Sequence, residues 1–233
     1  MIGHRYARMK KAWLIWFFAT VILIVYAMAG FVASYSNSVE IRLEPGFIVE
    51  VTLLRLADDR LRMDLEFRGD HWLRPELGDW APKTDEGRLA FQQAGASVRM
   101  TASTANSKSV LYEAMPSSGW SLHAVYRNMT SDLSIEPGVW RWPRDRSRDL
   151  VVHRGFNTVK IQTVSVDAPL VGEMVRLNVL PPLTFKTCMP NVCWLWWWNL
   201  WPLLMFVQAI WAAVIVIVAR TKLRRSARRE ARS

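Results

Sequence analysis

The sequence is poor in the residues that carry most enzyme chemistry. It contains four histidines and two cysteines in 233 residues, and no histidine stands in the HExxH spacing of a zinc protease. A glycine-rich phosphate loop and a GxSxG nucleophile elbow are also missing. We therefore expect no catalytic residue, no metal site and no cofactor of the chain's own. A membrane-bound enzyme is the least favoured interpretation, because it needs carboxylates or histidines that converge in a cleft.

Two long uncharged runs lie near the ends of the chain. They extend from Trp13 to Ala33 and from Leu200 to Ala219. About 20 helical residues span the hydrocarbon core of a bilayer, which is about 30 Å thick. The sequence therefore predicts transmembrane helices over 13–33 and 200–219. A cleavable signal peptide ending at Ala27-Met28-Ala29 is the alternative for the first run, but its length favours a retained anchor.

The formal net charge of +10 belongs entirely to the two tails, residues 1–12 and 220–233. Together they carry eleven basic residues and one acidic residue, whereas the middle of the chain carries nineteen of each. Short basic flanks stay on the cytoplasmic side of a membrane. We therefore expect both termini in the cytoplasm, residues 34–183 in the bacterial periplasm, and basic tails that contact lipid headgroups rather than nucleic acid.

The two cysteines fit an external location. Cys188 and Cys193 flank a Pro190-Asn191 turn signal just before the second apolar run. In an oxidising compartment this arrangement predicts a small disulfide loop. The spacing matches neither the CxxC redox motif nor the CxxCH haem attachment site. An unpaired state or a bond to a partner is the alternative.

Residues 34–183 have the pattern of an all-β domain. Leu61, Met63, Leu65 and Phe67 alternate with charged residues, which is typical of a half-buried strand. Several other short apolar runs are separated by Gly, Pro and Asn, which favours an antiparallel sandwich. The turn-rich stretch 69–87 is predicted to be a long loop, and residues 171–179 the last strand.

One stretch of this domain supports the same architecture by resemblance. The sequence LVVHRGFNTVKIQTVSV, residues 150–166, resembles the closing strands of jelly-roll sandwiches such as galactose-binding-like domains. The resemblance implies a jelly-roll-like sandwich and brings no binding residues with it. The predicted fold is thus two transmembrane helices that flank a periplasmic antiparallel β-sandwich.

A short motif within this domain is a candidate binding patch. Trp140 and Trp142 point to the same side of an extended strand, and Arg141 points to the other. Such a patch suits a sugar, a lipid headgroup or a protein partner, because Trp and Arg dominate interface hot spots. A core-facing Trp pair beside a solvated basic loop is the structural alternative.

The strongest functional indication is the tryptophan-rich end of residues 184–199, the juxtamembrane segment. Five tryptophans fall within eight residues, at positions Trp194, Trp196, Trp197, Trp198 and Trp201. Membrane proteins use Trp as an interfacial anchor, but this density exceeds what anchoring requires. In an α-helix all of them except Trp196 would share one face. We expect this surface to contact a partner, lipid, or a quinone or pigment held by a partner.

Gln208 adds a polar group in the middle of the second apolar run. An amide in hydrocarbon seeks a hydrogen bond, from Thr20 or the backbone of the first run, or from a neighbouring protein. We therefore favour a non-catalytic accessory subunit of a larger membrane complex. A membrane-anchored module that binds or senses sugar, lipid or envelope polymer is the second hypothesis.

Overall fold

The computed structural model describes residues 2–83, 88–105, 107–132, 139–141, 145–186 and 188–230. They fall into two compact units. One unit is helical and consists of Met1–Phe31 and Cys193–Ser233. The other, Val32–Val192, is a β domain.

Two long helices dominate the helical unit, α1 (Ile2–Ser34) and α2 (Trp201–Glu230). Helix α1 contains the first predicted apolar run, and α2 contains the second except for its first residue, Leu200. The stretches Lys10–Ser34 and Cys193–Thr221 are long and apolar enough to cross a membrane. Their side chains are mostly exposed, unlike those of a core helix in a soluble protein. Helix α2 continues through the basic tail to Glu230 because Ala, Lys and Arg are strong helix formers.

The β domain contains fourteen strands within the described residues. They are β1 (Asn37–Arg42), β2 (Ile48–Arg55), β3 (Asp59–Arg60), β4 (Met63–Arg68), β5 (Asp79–Lys83), β6 (Arg88–Gln93), β7 (Val98–Thr104), β8 (Val110–Ala114), β9 (Gly119–Trp120), β10 (Ala124–Thr130), β11 (Val139–Arg141), β12 (Val151–Val152), β13 (Gly155–Val166) and β14 (Met174–Val179). Short 3-10 helices cover His71–Leu73, Pro75–Leu77 and Ala168–Leu170.

The main sheet is antiparallel and nearly closed. Its strand order is β1-β14-β4-β10-β8-β7-β13-β2, with β9 paired to β10. The edge strands β1 and β2 meet where the Asn37 side chain donates a 3.0 Å hydrogen bond to the Thr52 carbonyl. The predicted antiparallel β domain between two apolar helices is confirmed, and its main strands form one curled sheet. Two smaller sheets, β11-β6-β5 and β12-β3, accompany it.

The core follows the alternation seen in the sequence. Leu61, Met63, Leu65 and Phe67 are all fully buried, as the period of two predicts. They pack with apolar residues from the other strands of the main sheet into one cluster.

Two local predictions for this domain are wrong in detail. The stretch 69–87 contains two 3-10 helices and β5, which pairs with β6, the next strand along the chain. The many polar and turn residues of this stretch concealed the strand. The last strand begins at Met174 rather than at Val171. Gly172, with φ of +83°, turns the chain just before it.

Arg127 is a charged residue inside this core. Its guanidinium donates to the carbonyls of Met115 at 2.7 Å, Ala96 at 2.7 Å and Ala114 at 3.0 Å. Burial lowers the pKa of Arg127 to about 10, so that it remains charged at neutral pH. It thereby ties β10 to the end of β8 and to the loop before β7.

Arg127→Met is expected to lower the free energy of unfolding of the β domain by about 3 kcal/mol or more, because three buried carbonyls lose their donor. Pulse proteolysis of the full-length protein in detergent, across a urea series, measures this loss. Arg154→Met is the matched control, since Arg154 is exposed. Equal urea midpoints for the two variants would contradict the role given to Arg127.

Candidate interaction surface

The tryptophan run forms an eight-residue 3-10 helix, Cys193–Leu200, directly before α2. Pro202 lacks an N–H, and in an α-helix its ring would clash with the carbonyl of Trp198, so that an α-helix cannot extend back through the run. In a 3-10 helix residues three apart lie in one row. The expectation of a single α-helical Trp face is therefore wrong, because Trp194 and Trp197 share one row and Trp198 and Trp201 another.

The first of these rows is exposed. Trp194 and Trp197 are 63% and 60% exposed, whereas Leu195 in the neighbouring row is fully buried. Trp196 is partly buried, and its ring contacts that of Trp197 edge to face at 5.2 Å. Trp201, the first residue of α2, is 42% exposed. The run thus presents several indole rings that the described part of the chain does not cover.

Unlike the exposed Trp194 and Trp197, Trp198 packs against α1. A Cβ atom added at Gly30 would lie only 2.2 Å from the Cβ of Trp198, far inside van der Waals contact. Only glycine therefore fits at position 30. The close approach lets the Trp run and α1 pack directly against each other.

Two aromatic donors of α1 reach main-chain carbonyls of the second apolar segment. The Tyr26 hydroxyl donates to the Trp194 carbonyl at 2.9 Å, and its ring lies 5.9 Å from the Trp194 ring. The Trp16 indole N–H donates to the Gln208 carbonyl at 2.9 Å. Both bonds join α1 to the second apolar segment and so stabilise the helix pair.

The side chain of Gln208 is not satisfied in this way. Its Oε1 atom is buried and makes no hydrogen bond within the residues that the structure describes. Thr20, a predicted partner, instead donates its hydroxyl to the Trp16 carbonyl of its own helix at 2.9 Å. The helix pair therefore holds a buried amide oxygen whose hydrogen-bonding capacity remains unused.

The predicted disulfide is confirmed, since Cys188 and Cys193 are bonded to each other. The segment that leads to it is held on the β domain by hydrogen bonds to main-chain carbonyls. Arg55 donates to the Leu180 carbonyl at 3.2 Å, and Asn191 donates to the Asp58 carbonyl at 3.1 Å. Hydrogen bonds to the β domain therefore hold the chain in place before the disulfide loop and within it.

The proposed binding patch at residues 140–142 lies largely outside what the structure describes. The backbone of Trp140 and Arg141 belongs to β11, which pairs with β6. Trp142 is outside the described residues.

Sequence reasoning missed a different aromatic surface, built from Trp72, Trp120 and His71. His71 is buried and stacks on Trp120 at 4.4 Å, and its edge contacts Trp72 at 5.2 Å. Trp72 and Trp120 are 76% and 52% exposed. Each lies within two residues of a leucine, in a stretch rich in polar and turn residues. Large apolar residues within polar, turn-rich stretches are the sequence signal by which this surface could have been predicted.

His71 also lies beside Ser117 and Asp79, but these residues do not form a nucleophilic triad. The Ser117 hydroxyl donates to the Gly78 carbonyl at 2.8 Å, so that its oxygen accepts from His71 Nε2 at 3.1 Å. The nearer Asp79 oxygen is 3.7 Å from the same nitrogen. A catalytic serine instead gives its proton to the histidine, which the aspartate holds by the other nitrogen. Ser117 is also fully buried.

Comparisons with known proteins leave the chain without an assigned family. No family model matches it, and no curated protein matches it. A crystal structure of a protein from Sulfurospirillum deleyianum aligns with a TM-score of 0.40 and 12% identity, over 63% of this chain and 97% of that chain. A TM-score of this size supports no conclusion about a shared fold or function.

Gly30→Leu is expected to lower the thermal midpoint of the helical unit in detergent, because the new side chain occupies the space of Trp198. Overpacking of this kind costs about 1 to 3 kcal/mol. Ala213→Leu makes a similar change at an exposed position of α2 and serves as the control. Thermal melts of the full-length variants that coincide would show that the Gly30–Trp198 contact is unimportant.

Proposed function

We propose that this chain is a non-catalytic, two-span accessory subunit that docks on and stabilises a larger membrane protein complex. Respiratory, photosynthetic, transport and secretion complexes all suit this description. The observation that carries the proposal is the exposed row of Trp194 and Trp197 at the start of the second apolar segment. Exposed indoles are a feature that a second membrane protein would complement. The Gln208 Oε1 atom, in contrast, is too buried to accept a hydrogen bond from outside the helix pair.

The proposed location is the bacterial inner membrane, with both termini in the cytoplasm and the β domain in the periplasm. The basic tails favour this orientation through the positive-inside rule. The disulfide between Cys188 and Cys193 is consistent with it, because disulfides persist in oxidising compartments.

The division of the aromatic residues into two groups supports docking rather than simple anchoring. Trp16, Tyr26 and Trp198 hold the two apolar segments of the chain together. Trp194 and Trp197 remain 63% and 60% exposed, although Trp194 also contacts Tyr26 of α1. In the proposed complex they contact the partner, its lipid, or a quinone or pigment that the partner holds, and the chain needs no cofactor of its own.

The second candidate is a membrane-anchored module that binds sugar, lipid or envelope polymer. The exposed Trp72 and Trp120 rings favour it, because planar aromatic surfaces suit such ligands. We rank it lower because it leaves the exposed Trp194–Trp197 row unexplained.

The double substitution Trp197→Leu and Trp201→Leu is expected to reduce recovery of companion chains at least about tenfold, because hot-spot indoles contribute about 2 kcal/mol or more to binding. Tagged full-length protein is extracted from native membranes in mild detergent, and the companions are quantified by mass spectrometry. Trp13→Leu, an exposed Trp on α1, is the control. Undiminished recovery with normal membrane insertion would contradict the proposal.

Gln208→Leu separates an internal role from docking. In the isolated chain it should leave the thermal midpoint unchanged or raise it, because Oε1 makes no described hydrogen bond there. Recovery of companions should be unchanged, because Oε1 is buried within the helix pair and out of reach of a partner's donor. A fall in recovery would show that docking opens the helix pair to reach Gln208. Val207→Leu is the neighbouring control. A drop in the thermal midpoint with unchanged recovery would show that Gln208 serves only the helix pair.

A further inference from the structure

The β domain carries a second exposed apolar surface, which we call the aromatic patch. It consists of Trp72, Leu73, Trp120 and Leu122. Leu73 and Leu122 are 77% and 85% exposed, more than most apolar residues of a folded domain. A cluster of large exposed apolar side chains marks an interaction site more often than scattered single residues do.

The aromatic patch is held in place by its surroundings. The Asp70 carboxylate accepts a hydrogen bond from the Trp72 main-chain N–H at 3.2 Å. Trp120 stacks on the buried His71. The two loops that carry the patch are joined where the Gly69 N–H donates to the His123 carbonyl at 3.0 Å. Because these elements are already ordered, binding costs little additional conformational entropy.

The loop that carries Trp72 is acidic. Asp70, Glu76 and Asp79 lie within residues 70–79, and Glu173 joins them through Arg74. The Arg74 guanidinium contacts Glu76, and it also donates to Glu173 at 2.8 Å. Arg68, at the end of β4, adds a second guanidinium, which pairs with Glu40 at 2.8 Å. Five carboxylates thus stand with two guanidinium groups among the described residues, so that the rim of the aromatic patch has a negative formal charge. Such a rim repels phosphate headgroups and anionic polymers and attracts basic side chains.

The position of the aromatic patch in the sheet is also defined. It adjoins the end of β4 at Arg68, which pairs with Ala124. The other end of β4, at Met63, pairs with Val179, which in turn pairs with Asn37. The patch therefore lies at the end of the sheet opposite to the strand ends from which the chain continues into the apolar helices.

We propose that the aromatic patch binds a segment of a partner protein in which a large apolar side chain is flanked by lysine or arginine. The indoles and leucines receive the apolar side chain, and the acidic rim pairs with the basic flanks. The proposal rests on the proposed function, since the partner belongs to the complex on which this chain docks. A neutral glycan fits less well, because two exposed leucines offer it no hydrogen bonds.

Site-specific photocrosslinking in native membranes tests this proposal with the full-length chain. The photoreactive residue p-benzoylphenylalanine replaces Leu122, and in a control it replaces Phe156, which is 81% exposed but lies outside the patch on β13. The expected adduct at position 122 maps by mass spectrometry to a companion chain, at an apolar residue with Lys or Arg nearby. Position 156 should give little of it.

Substitutions of a rim charge distinguish charge pairing from nonspecific apolar adhesion, because such adhesion does not depend on the charge at position 70. Asp70→Asn retains an acceptor for the Trp72 N–H and removes one rim charge, whereas Asp70→Lys reverses that charge. The adduct yield at position 122 should fall about two- to fivefold from the Asn to the Lys variant, the size of one exposed charge contact. Equal yields would overturn the charge pairing.

The remaining outcomes overturn the proposal in distinguishable ways. Companions that co-purify while position 122 gives no more adduct than position 156 would reject the aromatic patch and leave the proposed function intact. An adduct with lipid or glycan, or with a protein segment without basic flanks, would also reject it. The absence of any companion would reject the proposed function and this proposal together.

Discussion

The pairing of β1 with β14 is the constraint on which the rest of the architecture depends. These two strands come from opposite ends of the β domain, yet they pair over six residues, with Asn37 opposite Val179. The pairing continues beyond the strands, because the Leu183 N–H donates to the Ala33 carbonyl at 3.2 Å. A single chain therefore enters and leaves its barrel at neighbouring points, and each point continues into an apolar helix. Without this contact, the nearly closed sheet would open at β1.

In the helical unit, some aromatic residues pack the two apolar segments together and others remain exposed. Pro202 prevents an α-helix from extending back through the Trp run, and the 3-10 helix that forms instead turns Trp198 toward α1 and leaves Trp194 and Trp197 exposed. A continuous α-helix would have placed all of these rings on one face, where they would compete for the same neighbour. The local backbone geometry thus produces one internal contact surface and one external surface. This division is the physical basis for the proposed docking role.

Local patterns in the sequence predicted those parts of the fold that local forces determine. The uncharged runs predicted the two helices, and the alternation around Leu65 predicted β4. The Pro190-Asn191 turn between the cysteines predicted the disulfide. The closure of the main sheet was not predictable, because the β1–β14 pairing joins strands from opposite ends of the β domain. The β5–β6 pair was missed because its stretch is rich in polar and turn residues. The aromatic patch was missed because Trp72 and Trp120 are brought together only by the pairing of β4 with β10. The lack of a partner for the Gln208 oxygen was also not predictable from the sequence. The expected donor, the Thr20 hydroxyl, instead donates to the Trp16 carbonyl of its own helix.

The central claim is that this chain works as part of a larger membrane assembly, and the mass of the native particle tests it most directly. Tagged protein extracted from its own membranes in a mild detergent can be measured by native mass spectrometry, with an absorption spectrum of the same sample. The account predicts a particle that contains this chain together with other membrane proteins at fixed stoichiometry, with pigment or haem bands if the partner carries such groups. A particle that contains only one or two copies of this chain would contradict the account.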